Sequence, residues 1–167
     1  MSYAAGTSVS VESSKAELYS LLKKHGATQS GMADDDTRGL AIVFFMLQDR
    51  HFRIEVPMPK IDACRPRPNA LPHGWVRWDE PRRTAWVAKT HEQKCRERWR
   101  LLVLAVKAKL ELVALGFRSA EQEFLADLVL PDGRRTHSAL EARIKDAYLT
   151  GTMPAFPMLG PGPAKED

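Results

Sequence analysis

The sequence predicts an α+β fold in which a three-stranded antiparallel meander is packed by a long helix and smaller helices. Three observations predict it. Residues 40–47 are apolar on both faces and rich in β-forming side chains. Residues 51–58 alternate between polar and apolar side chains, which is the period of a half-buried strand. Residues 84–115 carry apolar side chains at steps of three and four, which is the period of a helix.

Length and composition indicate the domain organisation. The chain has 167 residues, 44% of them hydrophobic and 28% charged, which fits one domain with a substantial core. We predict a flexible arm over residues 1–10, a single domain over 11–151 and a disordered tail over 152–167, which holds four prolines. Cys64 and Cys95 are too few for a disulfide framework.

The first elements have local sequence signals. Ser14 and Glu17 have the spacing of a capping box and predict the start of a first helix, which should end at Gly26. A short strand is predicted over 28–32. This strand is the first of the meander, and the acidic run 34–36 with Gly39 predicts the turn that joins it to the next strand.

The connection from the meander to the long helix, residues 57–83, holds six prolines and so cannot be regular throughout. We predict a long, partly mobile loop. A structural role for Trp75 and Trp78, in which they only pin this loop to the sheet, is the alternative to a role in binding. The long helix is expected to run from about residue 83 to Leu115 and to end at Gly116. Its apolar seam is predicted to contain Cys95, Trp99, Leu102 or Val103, Val106, Leu110, Val113 and Phe117.

The C-terminal part of the domain shows two further helix starts. Ser119 and Gln122 have capping-box spacing and predict a short helix. The turn at 131–133 is expected to join two very short strands. A further capping box, beginning at Ser138, predicts the start of the last helix, which should end at Gly151.

Positive charge is concentrated in one segment. The net charge is +4, but residues 60–100 hold eleven Lys or Arg against five Asp or Glu, a local excess of +6. Such a segment indicates contact with a polyanion, most often nucleic acid, and a solvated surface is the alternative. Trp75, Trp78 and Trp86 are interleaved with these cations. Single-stranded nucleic acid is bound in this way, with cations on phosphates and rings stacked on bases.

The candidate nucleic-acid-binding residues are the cations of this segment and of the helix stripe beside the seam, together with Trp86, which is expected to stack on a base. At about 100° per residue, four of these cations fall within about 40° of one another: Lys89, Arg96, Arg100 and Lys107. The full set is Arg65, Arg67, Arg77, Arg82, Arg83, Trp86, Lys89, Arg96, Arg100 and Lys107.

Signals for catalysis and for metal binding are weak. His91 and Cys95 lie four residues apart on one helix face, but no second local pair completes a zinc site. The acidic run 34–36 could bind Mg²⁺, although such a run is more often a solvated turn. No Gly-x-Ser-x-Gly, Walker or Gly-x-Gly-x-x-Gly motif is present. We therefore predict a non-catalytic protein with no cofactor and no metal. An enzyme acting on nucleic acid is a third hypothesis, for which the run 34–36 is the only acidic cluster.

Five segments resemble a group of small phage- and prophage-encoded proteins, and they span most of residues 12–150. They are 14–18, 24–28, 52–59, 96–111 and 123–133. The resemblance implies a phage context and supplies no catalytic residues. The order of helix, meander and long helix is also similar to that of Rad52-like single-strand annealing proteins. That likeness implies ring assembly and a basic DNA groove beside sheet and helix.

The leading hypothesis is a non-catalytic, phage-type protein that binds single-stranded nucleic acid as an annealing or recombination accessory, with homo-oligomer formation as a further expectation. The alternative is a phage adaptor or inhibitor that binds a host protein through the Pro- and Arg-rich loop and the tail. The N-terminus lacks the features of a secretory signal, and no segment of the sequence is long and apolar enough to span a membrane. We therefore expect a cytoplasmic location in a bacterial host cell and no membrane partner.

Overall fold

The computed structural model describes residues 4–152 and confirms the α+β architecture. The helices are α1 (Val11–Lys24), α2 (Glu80–Ala114), α3 (Ala120–Glu123) and α4 (Thr136–Thr150). The strands are β1 (Gln29–Asp35), β2 (Leu40–Leu47) and β3 (Arg50–Pro57), and they form one antiparallel sheet in the order β1-β2-β3. Short 3-10 turns occupy 61–64, 68–70 and 75–77 before α2 and 125–127 before α4.

Two tight turns set the register of the sheet. Gln48 and Asp49 join β2 to β3, and both have positive φ, 51° and 59°, as in the turns whose twist matches a two-residue hairpin. The turn between β1 and β2 uses Gly39 at φ 66°, and Asp35 Oδ1 accepts a hydrogen bond from the Arg38 backbone N–H at 3.0 Å. β1 therefore extends through part of the acidic run, beyond the predicted end at residue 32.

The core lies on one face of the sheet, against α1 and α2. Alternate residues of β2 face it, which is why residues 41, 43, 45 and 47 are buried. Phe45 stacks on Phe52 with ring centroids 5.1 Å apart, and Phe124 meets Phe45 edge-on at 5.3 Å. The helices contribute Leu18 and Leu22 from α1 and Trp99, Val103, Val106 and Leu110 from α2.

α2 is about 52 Å long, at 1.5 Å for each of its 35 residues. It begins three residues earlier than predicted, because Asp79 caps it by accepting from the Arg82 N–H at 3.1 Å and Pro81 occupies its first turn. All four of its buried residues lie in the second half, from Trp99 on. The predicted seam is thus confirmed in that half, but Phe117 is 73% exposed because the helix ends at Ala114.

The two predicted caps at Ser14 and Ser138 are wrong. Ser10 caps α1, accepting from the Ser13 N–H at 3.0 Å, and Ser14 is buried inside the helix. α4 begins at Thr136, where the Thr136 hydroxyl and N–H both donate to Leu128 O. A tertiary contact, rather than a local capping box, therefore determines where α4 begins.

The capping box at Ser119 is confirmed, with the Ser119 hydroxyl accepting from the Gln122 N–H at 3.1 Å. The two very short strands predicted around the turn at 131–133 are reduced to isolated bridges. One joins Val129 to Arg135. The other joins Leu128 to Phe52, so this segment is attached to β3.

Residues 4–10, part of the predicted arm, lie against α2. The Gly6 N–H donates to Glu97 Oε1 at 2.8 Å, and Gln93 Nε2 donates to Thr7 O at 3.0 Å. The remainder of the arm, residues 1–3, and the predicted tail beyond Thr152 lie outside the described residues. Among residues 4–152, no helix combines the length and the apolar character needed to cross a bilayer.

Candidate nucleic-acid interface

Residues 58–79, here called the strap, fold along the first half of α2. His91 Nε2 donates to Pro59 O at 2.8 Å, and Lys94 Nζ donates to Ala63 O at 3.4 Å. Arg83 Nε donates to Trp75 O at 3.2 Å. Donors from α2 thus satisfy strap carbonyl groups that no regular structure would satisfy.

Three tryptophans hold the end of the strap to α2. Trp75 lies 5.5 Å from both Trp78 and Trp86, measured between ring centroids. Arg82 lies over the Trp78 ring at 4.4 Å, and Arg83 lies over the Trp75 ring at 5.7 Å. Trp75 and Trp78 thus attach the loop to α2 rather than to the sheet, because their partners outside the strap are Trp86 and arginines of α2.

The nine predicted cations divide into two groups. Within residues 4–152, four of them form ion pairs with carboxylates: Arg65, Arg83, Arg96 and Arg100. Arg65 lies 3.8 Å from Asp62, and Arg83 lies 4.0 Å from Glu80. Both carboxylates are exposed to solvent, so they neutralise little of the charge of these arginines. The other five have no ion pair in the described part of the chain: Arg67, Arg77, Arg82, Lys89 and Lys107.

Arg96 and Arg100 are neutralised more closely than the other cations of the stripe. Arg96 pairs with Glu92 one turn earlier on α2. Arg100 pairs with Glu17 of α1, and the Arg100 side chain is three-quarters buried. A phosphate would have to compete with these carboxylates. Arg100 therefore contributes more to the contact between α1 and α2 than to the free positive surface, whereas Arg96 and Glu92 form a surface pair within α2.

Trp86 lies beside a shallow groove on the first half of α2. Lys89, Gln93 and Lys94 line this groove with it. Arg82 and Lys89 are seven residues apart on one helix face, which places their Cα atoms about 10 Å apart. The groove thus combines a half-buried indole with neighbouring cations, and Glu92 and Glu97 are its acidic lining residues.

The His91 and Cys95 pair does not form part of a metal centre in the described structure. Cys95 Sγ lies 3.7 Å from His91 Nε2, which is already hydrogen-bonded to the strap. Burial, with smaller effects from Cys64 and Glu92, raises the pKa of the Cys95 thiol, which keeps it protonated and a weak ligand. Across residues 4–152, no cluster of three or more His, Cys, Asp or Glu is placed to hold a metal ion.

A second group of cations, outside the residues that the sequence predicts for binding, lies on the face of the sheet opposite the core. Arg38, Arg53 and Arg135 all form ion pairs with Glu55. The alternation in β3 already placed Arg53 and Glu55 opposite the buried Phe52 and could have indicated a solvated face. Arg38 and Arg135 come from a turn and from the end of a bridge, so no local pattern links them to this face.

Comparison with family models, with curated proteins and with solved structures finds no match to this chain.

Proposed function

We propose that the protein binds single-stranded nucleic acid through the first half of α2 and the strap, as an accessory in annealing or recombination. The observation that carries the proposal is the groove lined by Trp86 and Lys89. Arg82 lies one turn before Trp86 on α2, with its guanidinium over the Trp78 ring, and neither Arg82 nor Lys89 is ion-paired within residues 4–152. Lysine and arginine hold the phosphates, and an indole stacks on bases without regard to their sequence.

Charge in the strap supports the same surface. Arg67 and Arg77 are exposed and have no ion pair in the described part of the chain. Because the Trp75, Trp78 and Trp86 cluster holds the end of the strap to α2, Arg77 lies in a segment attached to the helix rather than in a free loop. A positioned array of cations gains more from a polyanion than a mobile one, since less side-chain and backbone freedom is lost on binding.

The test is a pair of charge-removing variants. We expect Arg82→Ala with Lys89→Ala to weaken binding of a short fluorescent oligothymidine and to reduce the slope of log affinity against log salt by about 1.4, the loss of two phosphate contacts at ~0.7 each. Fluorescence anisotropy over a range of salt concentrations measures both quantities.

The matched control removes two exposed lysines from the last turn of α1. Lys23→Ala with Lys24→Ala makes the same change in net charge, and we expect the salt slope to stay near that of the wild type. Equal losses in the two double variants would show non-specific attraction by net charge alone. An unchanged slope in the Arg82 and Lys89 variant would remove the groove from the binding site.

A protein partner is the second candidate, because the strap also exposes apolar side chains. Val76 is 76% exposed, and Ile61 and Leu71 are exposed as well. The substitution Val76→Ser, which removes the apolar side chain without adding a charge to the strap, separates the candidates. It should leave oligothymidine affinity nearly unchanged if the ligand is nucleic acid, and should weaken association with a protein partner that survives nuclease treatment.

A further inference from the structure

The face of the sheet opposite the core presents an aromatic ring to solvent. Phe44, in the central strand β2, is 47% exposed. It is paired with Gly31 of β1, and its ring lies over that glycine so closely that a Cβ built on Gly31 would be 2.3 Å from Phe44 Cζ. The absence of a side chain at Gly31 therefore gives the ring its place on the sheet surface.

Arginines adjoin this ring. Arg53 is the direct partner of Phe44 on β3, so the two side chains leave the same face of the sheet. Glu55, whose side chain is 9% exposed, receives Arg53 at 3.3 Å, Arg38 at 3.4 Å and Arg135 at 2.9 Å. Three guanidinium groups thus share one carboxylate.

Among the ion pairs of the described residues, one further carboxylate reduces the excess of positive charge at Glu55. Asp127 lies 3.7 Å from Arg135, so the network carries three positive charges against two negative ones. The side chains of Arg38 and Arg53 are 59% and 38% exposed, which leaves part of each guanidinium group open to an anion from solvent, although Arg53 Nε itself is buried.

We propose that this outer sheet face is a second contact for single-stranded nucleic acid, where one base stacks on Phe44 and a neighbouring phosphate binds Arg38 and Arg53. The inference rests on the proposed function and extends it to a second surface. Aromatic rings on open sheets stack on unpaired bases, and guanidinium groups bind phosphate in a bidentate manner. An apolar occupant, such as a second copy of the chain, would desolvate the exposed guanidinium groups without supplying an anion.

Photo-cross-linking locates the contact directly. The full chain is irradiated with a short oligonucleotide that carries a photoreactive thymine analogue, and is then digested with trypsin. Cleavage after Arg38 and after Arg50 releases peptide 39–50, which contains Phe44. We expect this peptide among the cross-linked products, and we expect Phe44→Leu to remove it and to weaken binding about fivefold or more, since a base stack is lost.

Phe117→Leu is the matched control, because Phe117 is an exposed phenylalanine outside the sheet. We also expect Arg38→Ala to weaken binding, because it removes one of the two guanidinium groups that hold the phosphate. Arg118→Ala is its control, since both arginines are about 60% exposed and pair with a glutamate. Neither control should change affinity. A thermal melt of each variant confirms that it is folded at the temperature of the assay.

The outcomes separate this inference from the proposed function. If the wild type binds the oligonucleotide, but cross-links map only to α2 and the strap and Phe44→Leu binds normally, the sheet face is not a contact and the groove at Trp86 stands. If the wild type binds no oligonucleotide, both proposals fail. If Phe44→Leu changes only the sedimentation of the protein, the face is an interface between two copies and the inference is overturned.

Discussion

Ser14 shows how packing decides the role of a single residue. Its hydroxyl is fully buried, and Ser14 Oγ has no hydrogen-bond partner within the described residues. Leu18 lies one helical turn later and faces the core, so Ser14 must face it too. The residue that caps α1 is Ser10, one turn earlier.

Substitutions at the two serines have opposite expected effects. Ser14→Ala should raise the free energy of unfolding by about 1 kcal/mol, because it removes a buried hydroxyl that lacks a partner. Ser10→Ala should lower it by about 1 kcal/mol, because it removes the cap. Urea denaturation of both variants measures the difference. A loss of stability in Ser14→Ala together with a gain in Ser10→Ala would mean that Ser14 is the cap.

The strap is the element whose structure depends most on contacts outside itself. Cys64 is the only buried residue described within it, so apolar burial contributes little to its position. It is held instead by hydrogen bonds from α2 and by stacking of its tryptophans. Arg83 makes two of these hydrogen bonds, to Trp75 O at 3.2 Å and to Val76 O at 3.0 Å.

Removal of the Arg83 guanidinium should therefore loosen the strap and leave the core intact. We expect Arg83→Ala to speed chymotryptic cleavage after Trp75 and Trp78, while the urea midpoint changes little, because local opening costs less than global unfolding. Arg77→Ala, at an exposed arginine of the same strap, is the control. Equal cleavage of wild type and Arg83→Ala would show that the tryptophan contacts alone hold the strap.

At the scale of the whole molecule, two consecutive ion pairs attach the segment after α3 to the sheet. Asp127 pairs with Arg135, and Arg135 pairs with Glu55 of β3. Burial raises the pKa of Asp127 above 3.8, and this effect exceeds the opposing ones of Lys109, Arg135 and His137. The folded protein thus binds a proton at Asp127 more tightly than the unfolded chain does.

This shift has a defined consequence for stability. Below about pH 3.8, Asp127 is protonated in both states and its raised pKa stabilises the folded protein. This contribution to the free energy of unfolding is lost as the pH rises through the higher folded pKa, because the carboxyl group is then ionised in both states. We expect the unfolding free energy of Asp127→Asn, minus that of the wild type, to increase with pH across this range. Urea titrations at several pH values measure it. A constant or falling difference would contradict the raised pKa.

Much of the fold follows from the sequence because its signals are local. The period of two in β3, the apolar run of β2 and the three-and-four steps of α2 predict those elements wherever they pack. The start of α2 is local as well, since Asp79 caps the helix and Pro81 lies in its first turn, and it comes three residues before the predicted start. The cap of α1 is harder to predict from the sequence, since Ser10, Ser13 and Ser14 all have side chains that can cap a helix. Ser10 is the cap because Ser14 faces the core from inside the helix.

The candidate site divides in the same way. The sequence by itself determined the α+β class, the meander, the long helix and the concentration of cations between residues 60 and 100. Only the tertiary structure decided which of those cations are neutralised, that the strap packs on α2, and that Arg38, Arg53 and Arg135 gather at Glu55. The reason is physical: periodicity and turn chemistry depend on neighbours along the chain, whereas exposure and charge neutralisation depend on neighbours in space.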